Sequence, residues 1–257
     1  MDEVCIQIVN YKTKAYLLRC LESLFEDLKN AEIVFSVAIL DNASGDDLSD
    51  IPKKFPGKPI AVHYHRSNVG FGAGHNVLAR QSSARYLLLL NPDILFIETN
   101  TIGRLLDRAK ESGSAVVGPK LVTTKKRVAQ HYDHGELYGL RARIAQHTGH
   151  AFWKEQKNIT QAAWVAGAVF LIEKEWFVRL GGFDENFFLY GEELELCFRL
   201  RALGGAVTYD PTIIVFHYAG VVAKKSDHLR KSNDYFLRKH FYGKWSYPLL
   251  YWMNTIT

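Results

Sequence analysis

Three glutamates, Glu192, Glu193 and Glu195, stand within four positions behind the run Phe188-Leu189-Tyr190. Carboxylates crowded beside apolar groups lose hydration and repel one another, which lifts a carboxyl pKa toward that of a working base. The same spacing has a structural use. Acids in a first helical turn favour the helix dipole, and Glu195 with Arg199 makes an i,i+4 ion pair. Another carboxylate, Asp93, closes Leu87-Leu88-Leu89-Leu90-Asn91-Pro92-Asp93. A hard oxygen ligand at the end of a buried strand suits Mg2+ or Mn2+ shared with substrate phosphates, although Asn-Pro-Asp is also good β-turn material. The stretch Asp41-Asn42-Ala43-Ser44-Gly45-Asp46-Asp47 fails as a calcium loop, because its third position offers no oxygen and Gly45 comes one residue early. At a strand end, Asp41 can instead accept the imide N–H of uracil or thymine or hold a ribose hydroxyl; its bland alternative is an Asx-turn.

The cluster Asn68-Val69-Gly70-Phe71-Gly72-Ala73-Gly74-His75-Asn76 opens a helix and offers backbone N–H groups to a phosphate or ribose. A Rossmann site would place such glycines in the first strand-to-helix turn, where Asn10-Tyr11-Lys12-Thr13 has none.

These groups need a scaffold, and the first 120 residues supply one by alternating apolar runs with amphipathic stretches, the pattern of an α/β sheet. Strands are predicted at 4–9, 34–40, 60–65 and 86–90, each ending in polar turn-formers. In a parallel sheet ligands sit beyond the carboxyl ends of the strands, so Asn10-Tyr11, Asp41-Asn42, Asn68 and Asn91-Pro92-Asp93 should border one crevice. A helix near 102–111 and a short strand at 115–118 continue the alternation. Residues 122–161 are poorly periodic, and His131, His134, His147 and His150 read there as scattered loop histidines rather than a metal site. A β-rich run over 164–172, a helix to about 203 and a strand over 212–216 before His217 complete the domain.

A chain of 257 residues, 47% hydrophobic, can bury one sizeable core. Cys5, Cys20 and Cys197 form neither a disulfide framework nor a zinc pattern, which points to a reducing compartment. No span of membrane length and no signal peptide is read, so a cytosolic protein is expected, and Asn158-Ile159-Thr160 is a chance glycosylation match. The formal charge of +5 is concentrated in residues 224–257, which hold seven Lys/Arg against two Asp among many aromatics. That mixture suits the headgroup layer of an anionic membrane, or equally a terminal helix packed on the domain. No nucleic-acid recognition motif accompanies it.

Taken in order, Val9-Asn10-Tyr11, Asp41-Asn42-Ala43-Ser44, Asn68-Val69-Gly70-Phe71-Gly72, Asn91-Pro92-Asp93, Gly181-Gly182-Phe183-Asp184 and Tyr190-Gly191-Glu192-Glu193 resemble the inverting family 2 glycosyltransferases of the GT-A fold, in particular bacterial rhamnosyltransferases. The resemblance covers residues 4 to about 220 and leaves 221–257 as a helical extension. It implies a nucleotide-diphosphate sugar donor held by Asn10, Tyr11, Asp41, Asn42, Asn68, Gly70, Asn76 and Asn91. It implies Mg2+ or Mn2+ on Asp93, the surviving carboxylate of the family's Asp-x-Asp, and on His217. The family's catalytic aspartate falls on Glu193, with Glu192 as substitute; the extra methylene displaces the carboxylate by about 1.5 Å, which matters where reacting atoms sit ~3 Å apart. Trp164, Gly167 and Glu195 would border a glycan or lipid-linked acceptor, or Glu195 would brace its helix. By this resemblance the reaction is a single displacement with rhamnose from a thymidine diphosphate as the expected donor group, and the basic aromatic tail points to a lipid-linked glycan at the inner membrane face as acceptor. Two rivals remain: a nucleotidyltransferase, for which the first loop lacks a basic glycine-rich triphosphate cradle, and a non-catalytic nucleotide-sugar-binding subunit.

Overall fold

The computed structural model describes residues 2–123, 128–148, 152–220 and 226–255. In chain order its strands are β1 (Val4–Asn10), β2 (Phe35–Asp41), β3 (Ile60–Tyr64), β4 (Tyr86–Leu90), β5 (Ile94–Phe96), β6 (Val116–Val122), β7 (His134–Glu136), β8 (Thr160–Val165), β9 (Val169–Glu173) and β10 (Val207–His217). Its helices are α1 (Lys14–Asp27), α2 (Ile51–Lys54), α3 (Phe71–Gln81), α4 (Thr101–Ser112), α5 (Gly139–Thr148), α6 (Lys174–Arg179), α7 (Glu192–Ala202), α8 (Ser226–Phe241) and α9 (Tyr247–Thr255).

One sheet runs in the order β3-β2-β1-β4-β9-β6-β10-β8-β7, with β5 paired to β10. Its first four strands are parallel, in a register that sets Asn10 beside Asp41, Asp41 beside Tyr64 and Ile8 beside Leu90. Strand β4 is buried along its whole length and β1 nearly so, which is why both read as continuous apolar runs. The exception in β1 is Gln7, buried against His75 of α3; burial pushes the His75 pKa down to about 3, so this imidazole is neutral. Helix α3 lies close to β1 because Gly74 has no side chain; a Cβ there would stand 3.0 Å from both Val9 methyls.

Beyond β4 the sheet becomes mixed, since β9 is antiparallel to both β4 and β6. The β-rich run over 164–172 comprises the end of β8, which pairs with β10 and β7, and the start of β9. The last strand starts five residues earlier than expected, at Val207. Pro211, which lacks an N–H, sits where the β10–β6 register shifts between Asp210 and Ile214, and this break hid the first half of the strand. The segment 122–161 holds β7 and α5, so His134 is a buried strand residue and not a loop histidine. His150 lies outside the described residues, as do Lys224 and Lys225.

Helices α8 and α9 enclose a small second core of Phe187, Phe236, Leu237, Phe241 and Leu250, with Leu194 and Phe198 of α7 at its edge. The inner side of the C-terminal segment is therefore packed on the domain. No helix among the described residues is long and apolar enough to cross a membrane.

Candidate active site

The four strand ends meet as the parallel rule requires. Asn10 is fully buried, and its amide N–H groups donate to Asp41 Oδ1 (3.0 Å), Ser44 Oγ (3.2 Å) and Asp46 Oδ2 (3.0 Å), while its carbonyl accepts the Thr13 hydroxyl at 2.8 Å. Its side chain thus sets the 41–46 loop. Asp41 also takes the Ser44 N–H at 3.1 Å and the Ser44 hydroxyl, so the turn expected as its bland alternative is present. Asn42 clips the next loop: its amide donates to Asn68 Oδ1 (2.9 Å) and the Gly70 carbonyl (3.1 Å) and accepts from Val69 N–H (3.0 Å). Tyr11 and Asn68 are half-buried at the rim of these loops.

Gly70 joins this rim to the catalytic segment. Its φ of 88° and ψ of −179° place it in a region open to glycine alone, and the next residue, Phe71, donates its N–H to the Phe188 carbonyl at 3.1 Å. Asn76 makes the second link, pairing with the Phe183 backbone through Phe183 N–H to Oδ1 and Nδ2–H to the carbonyl, both at 2.9 Å. Nδ2 also donates to Glu185 at 3.0 Å. Asn76 thus brackets α3 to the Gly181-Gly182-Phe183-Asp184 turn.

The three glutamates of α7 face three environments. Glu192 is buried, its Oε1 has no hydrogen-bond partner among the described residues, and burial followed by the charge of Glu193 pushes its pKa well up. Glu193 is half-buried; burial raises its pKa too, but its carboxyl accepts backbone N–H groups from itself, Gly167 and Gly191. Both carboxyls are thus raised, and the backbone donors at Gly167 and Gly191 oppose the rise at Glu193, so the stronger push falls on Glu192. Glu195 is fully buried, and burial alone would raise its pKa. Bonds from His240 Nε2 (3.1 Å), Arg199 Nε (2.8 Å) and Lys239 Nζ (2.6 Å) outweigh that and hold it at about 2. It points to α8 and braces the helix, the structural one of its two expected roles.

Lys239 also bonds Asp184 at 2.7 Å, so one clamp ties α7, α8 and the 181–184 turn. Because the Glu195 pKa falls from 4.5 to about 2 on folding, its contribution is complete above pH 4.5 and is lost as pH falls through about 2. Linkage makes this about 3 kcal/mol. Denaturant titrations at descending pH should therefore show stability dropping below pH 4.5 in the native chain and a flatter profile in Glu195→Gln; parallel profiles would remove the clamp from the account.

Asp93 and His217 come together as expected. Strand β5 sets Ile94 opposite His217, bringing His217 Nε2 to 3.3 Å from Asp93 Oδ1. That oxygen is buried with no hydrogen bond among the described residues, and the other imidazole nitrogen lies 2.7 Å from Gln130 Oε1. Half-buried Asn91 links this pair to the Glu193 region through its backbone: its N–H donates to the Ala168 carbonyl at 2.9 Å, one residue from Gly167, which lies against Glu193. Gly167 itself leaves no room, since a Cβ would stand 3.2 Å from the Phe71 ring. Trp164 packs across Gly135, with its indole N–H unpartnered among the described residues.

Sequence reasoning missed Asp133. It is buried and accepts from Tyr209 OH (2.8 Å), Trp153 Nε1 (2.8 Å) and Leu121 N–H (3.2 Å), with His134 Nδ1 at 2.8 Å, while its carbonyl takes the Ala166 N–H. It anchors the approach to the Gly167 turn. A lone Asp in an aperiodic stretch carries no local signal of such a role.

This arrangement, a crevice at the carboxyl ends of parallel strands closed by a glycine loop and a carboxylate helix, belongs to the GT-A fold. The crystal structure of GalNAc-T7 with UDP, GalNAc and Mn2+ superposes with a TM-score of 0.68 at 15% identity, over 90% of this chain and 47% of that one, so the chain spans about half of that structure. The chain belongs to Glycosyl transferase family 2, whose profile matches residues 4–174. Rhamnosyltransferase WbbL of Escherichia coli K12 is 26% identical over 241 residues, covering 84% of this chain and 83% of that protein. The N-acetylglucosaminyl-diphospho-decaprenol L-rhamnosyltransferase of Mycobacterium tuberculosis is 24% identical over 279 residues, covering 96% and 88%.

Proposed function

We propose that the chain is an inverting glycosyltransferase that moves rhamnose from a thymidine-diphosphate donor to a hydroxyl of a glycan or lipid-linked acceptor in surface polysaccharide synthesis. The observation that carries the chemistry is the Glu192–Glu193 pair at the start of α7, where burial raises both carboxyls and half-buried Glu193 lies against the Gly167 turn with backbone donors at Gly167 and Gly191. Glu193 takes the acceptor hydroxyl proton while that oxygen attacks the anomeric carbon, the glycosidic bond to the diphosphate breaks, and configuration inverts. The bond electrons leave with the diphosphate. Both relatives described above carry rhamnosyltransferase in their names, which supports the choice of sugar.

Asp93 and His217 suit a divalent ion. His217 Nδ1 lies 2.7 Å from Gln130 Oε1 and its Nε2 lies 3.3 Å from Asp93 Oδ1, a buried oxygen with no hydrogen bond among the described residues, so the pair offers a nitrogen and a carboxylate oxygen to one ion. Among the described residues no group of three or more His, Cys, Asp or Glu is gathered, so donor phosphate oxygens and water would complete the shell. When bound, the ion supplies charge neutralisation to the departing diphosphate.

The test is thermal unfolding with a panel of nucleotide sugars, with and without Mn2+. At a hundredfold excess over Kd a ligand adds about 2.7 kcal/mol, a rise of several degrees for a chain of this size. The matched donor should give that shift only with Mn2+, and His217→Ala should abolish the metal dependence. A protein indifferent to every donor would end the transferase reading.

A further inference from the structure

The outer side of the α8–α9 hairpin is built unlike a solvated surface. Its inner face buries Phe236, Leu237, Phe241 and Leu250, yet at the turn between the helices Trp245 is 92% exposed and Tyr242 77%. On α9, Leu249, Tyr251 and Trp252 are also open to solvent. Residues 245–257 contain no Asp, Glu, Lys or Arg. A helix that faces water on one side normally carries charge there. An exposed patch of aromatic and aliphatic side chains on successive turns marks an interaction surface.

The charges stand immediately behind this tip. Arg238 is exposed one helical turn before Tyr242, whose N–H reaches the Arg238 carbonyl at 3.4 Å. Lys244 is exposed beside Trp245 and carries its ammonium 4.9 Å from the Phe241 ring. The segment 224–257 as a whole holds seven Lys/Arg against two Asp. Indole and phenol rings at the tip, cations one layer back and no acid between them match the depth profile of an anionic bilayer, where rings lie at the headgroup boundary and cations meet phosphates. A protein partner would call for the apolar tip but gives no reason for the cationic collar.

We infer that the α8–α9 hairpin docks the protein on an anionic lipid surface, with Trp245 and Trp252 entering the headgroup layer and Arg238 and Lys244 on lipid phosphates. The hairpin is fixed to α7 by the Glu195 clamp, so docking would hold the catalytic crevice at a set height above the lipid.

The experiment is vesicle flotation, read together with tryptophan fluorescence and without any sugar donor, so its result stands apart from the transferase reading. The full chain should float with vesicles of phosphatidylethanolamine and phosphatidylglycerol, with a blue-shifted emission, and should bind phosphatidylcholine vesicles far less. The double variant Trp245→Ser/Trp252→Ser, both sites being exposed, should keep the native circular dichroism and lose about tenfold or more in vesicle affinity. Arg238→Glu/Lys244→Glu should lose the preference for the anionic vesicles. Failure of the unaltered chain to float, or undiminished binding by the Trp variant, would overturn the inference. A concentration-dependent dimer in sedimentation velocity that the Trp variant abolishes would overturn it in favour of a second copy of the chain.

Discussion

Glu193→Gln is expected to bind donor as the native chain does and to transfer sugar about 10²–10⁴-fold more slowly, while Glu192→Gln keeps kcat within a few-fold. The two residues are adjacent and chemically identical, so the contrast comes from their surroundings. Glu192 is buried beside Gly72, with one carboxyl oxygen unpartnered among the described residues, and a glutamine there replaces a neutral acid with a neutral amide of the same shape. Glu193 accepts three backbone N–H groups, keeps access to solvent and lies beside Gly167. Its amide cannot accept a proton. Single-turnover rates and donor-induced thermal shifts on both purified variants decide the matter; equal losses in the two would show that the pair acts as one unit, and a silent Glu193→Gln would move the base elsewhere.

Gly70→Ala should be the most damaging single methyl in the chain, lowering unfolding stability by about 3 kcal/mol or more. Two costs combine at this position. The φ of 88° with an extended ψ is closed to residues bearing a Cβ, and the new methyl would collide with the Phe188 carbonyl oxygen, with the carbonyl carbon 3.0 Å away. That oxygen already accepts the Phe71 N–H, so relief of the clash breaks the link between the donor rim and the catalytic segment. Gly57 is the control, because its φ of 76° is also positive but a Cβ there meets nothing within 4 Å. Gly57→Ala should cost only its backbone strain, about 1 kcal/mol. Urea unfolding of the two variants side by side separates strain from collision, and comparable losses would leave the Phe188 contact without weight.

Most of the scaffold was readable because its rule is local. A parallel strand buried on both faces is an apolar run with a polar end, and the runs at 4–9, 34–40, 60–65 and 86–90 became β1 to β4 within a residue or so. Their shared crevice followed from the same rule. Asp93 and His217 were brought together only by the resemblance, since the antiparallel pairing of β5 with β10 joins positions with no common local pattern. What stayed hidden were partners remote in sequence. The resemblance set Asn76 at the donor site, and no local pattern announced that its side chain pairs with the backbone of Phe183, 107 positions away. Glu195 declared its bond to Arg199 by spacing, but nothing in the sequence named Lys239 and His240 on α8. Asp133 gave no sign at all, because its partners at Leu121, Trp153 and Tyr209 come from three separate elements.

One turn of α7 holds the same side chain in three environments, two that raise its pKa and one that lowers it, and this separates two acid responses. Glu193 gains its proton above the usual carboxylate range, whereas Glu195 keeps its charge down to about pH 2. Mild acid therefore switches off the chemistry before it loosens the clamp that fixes α7. The acid limb of the rate profile will be recorded on an intact protein, and activity silenced by mild acid should return in full when neutral pH is restored.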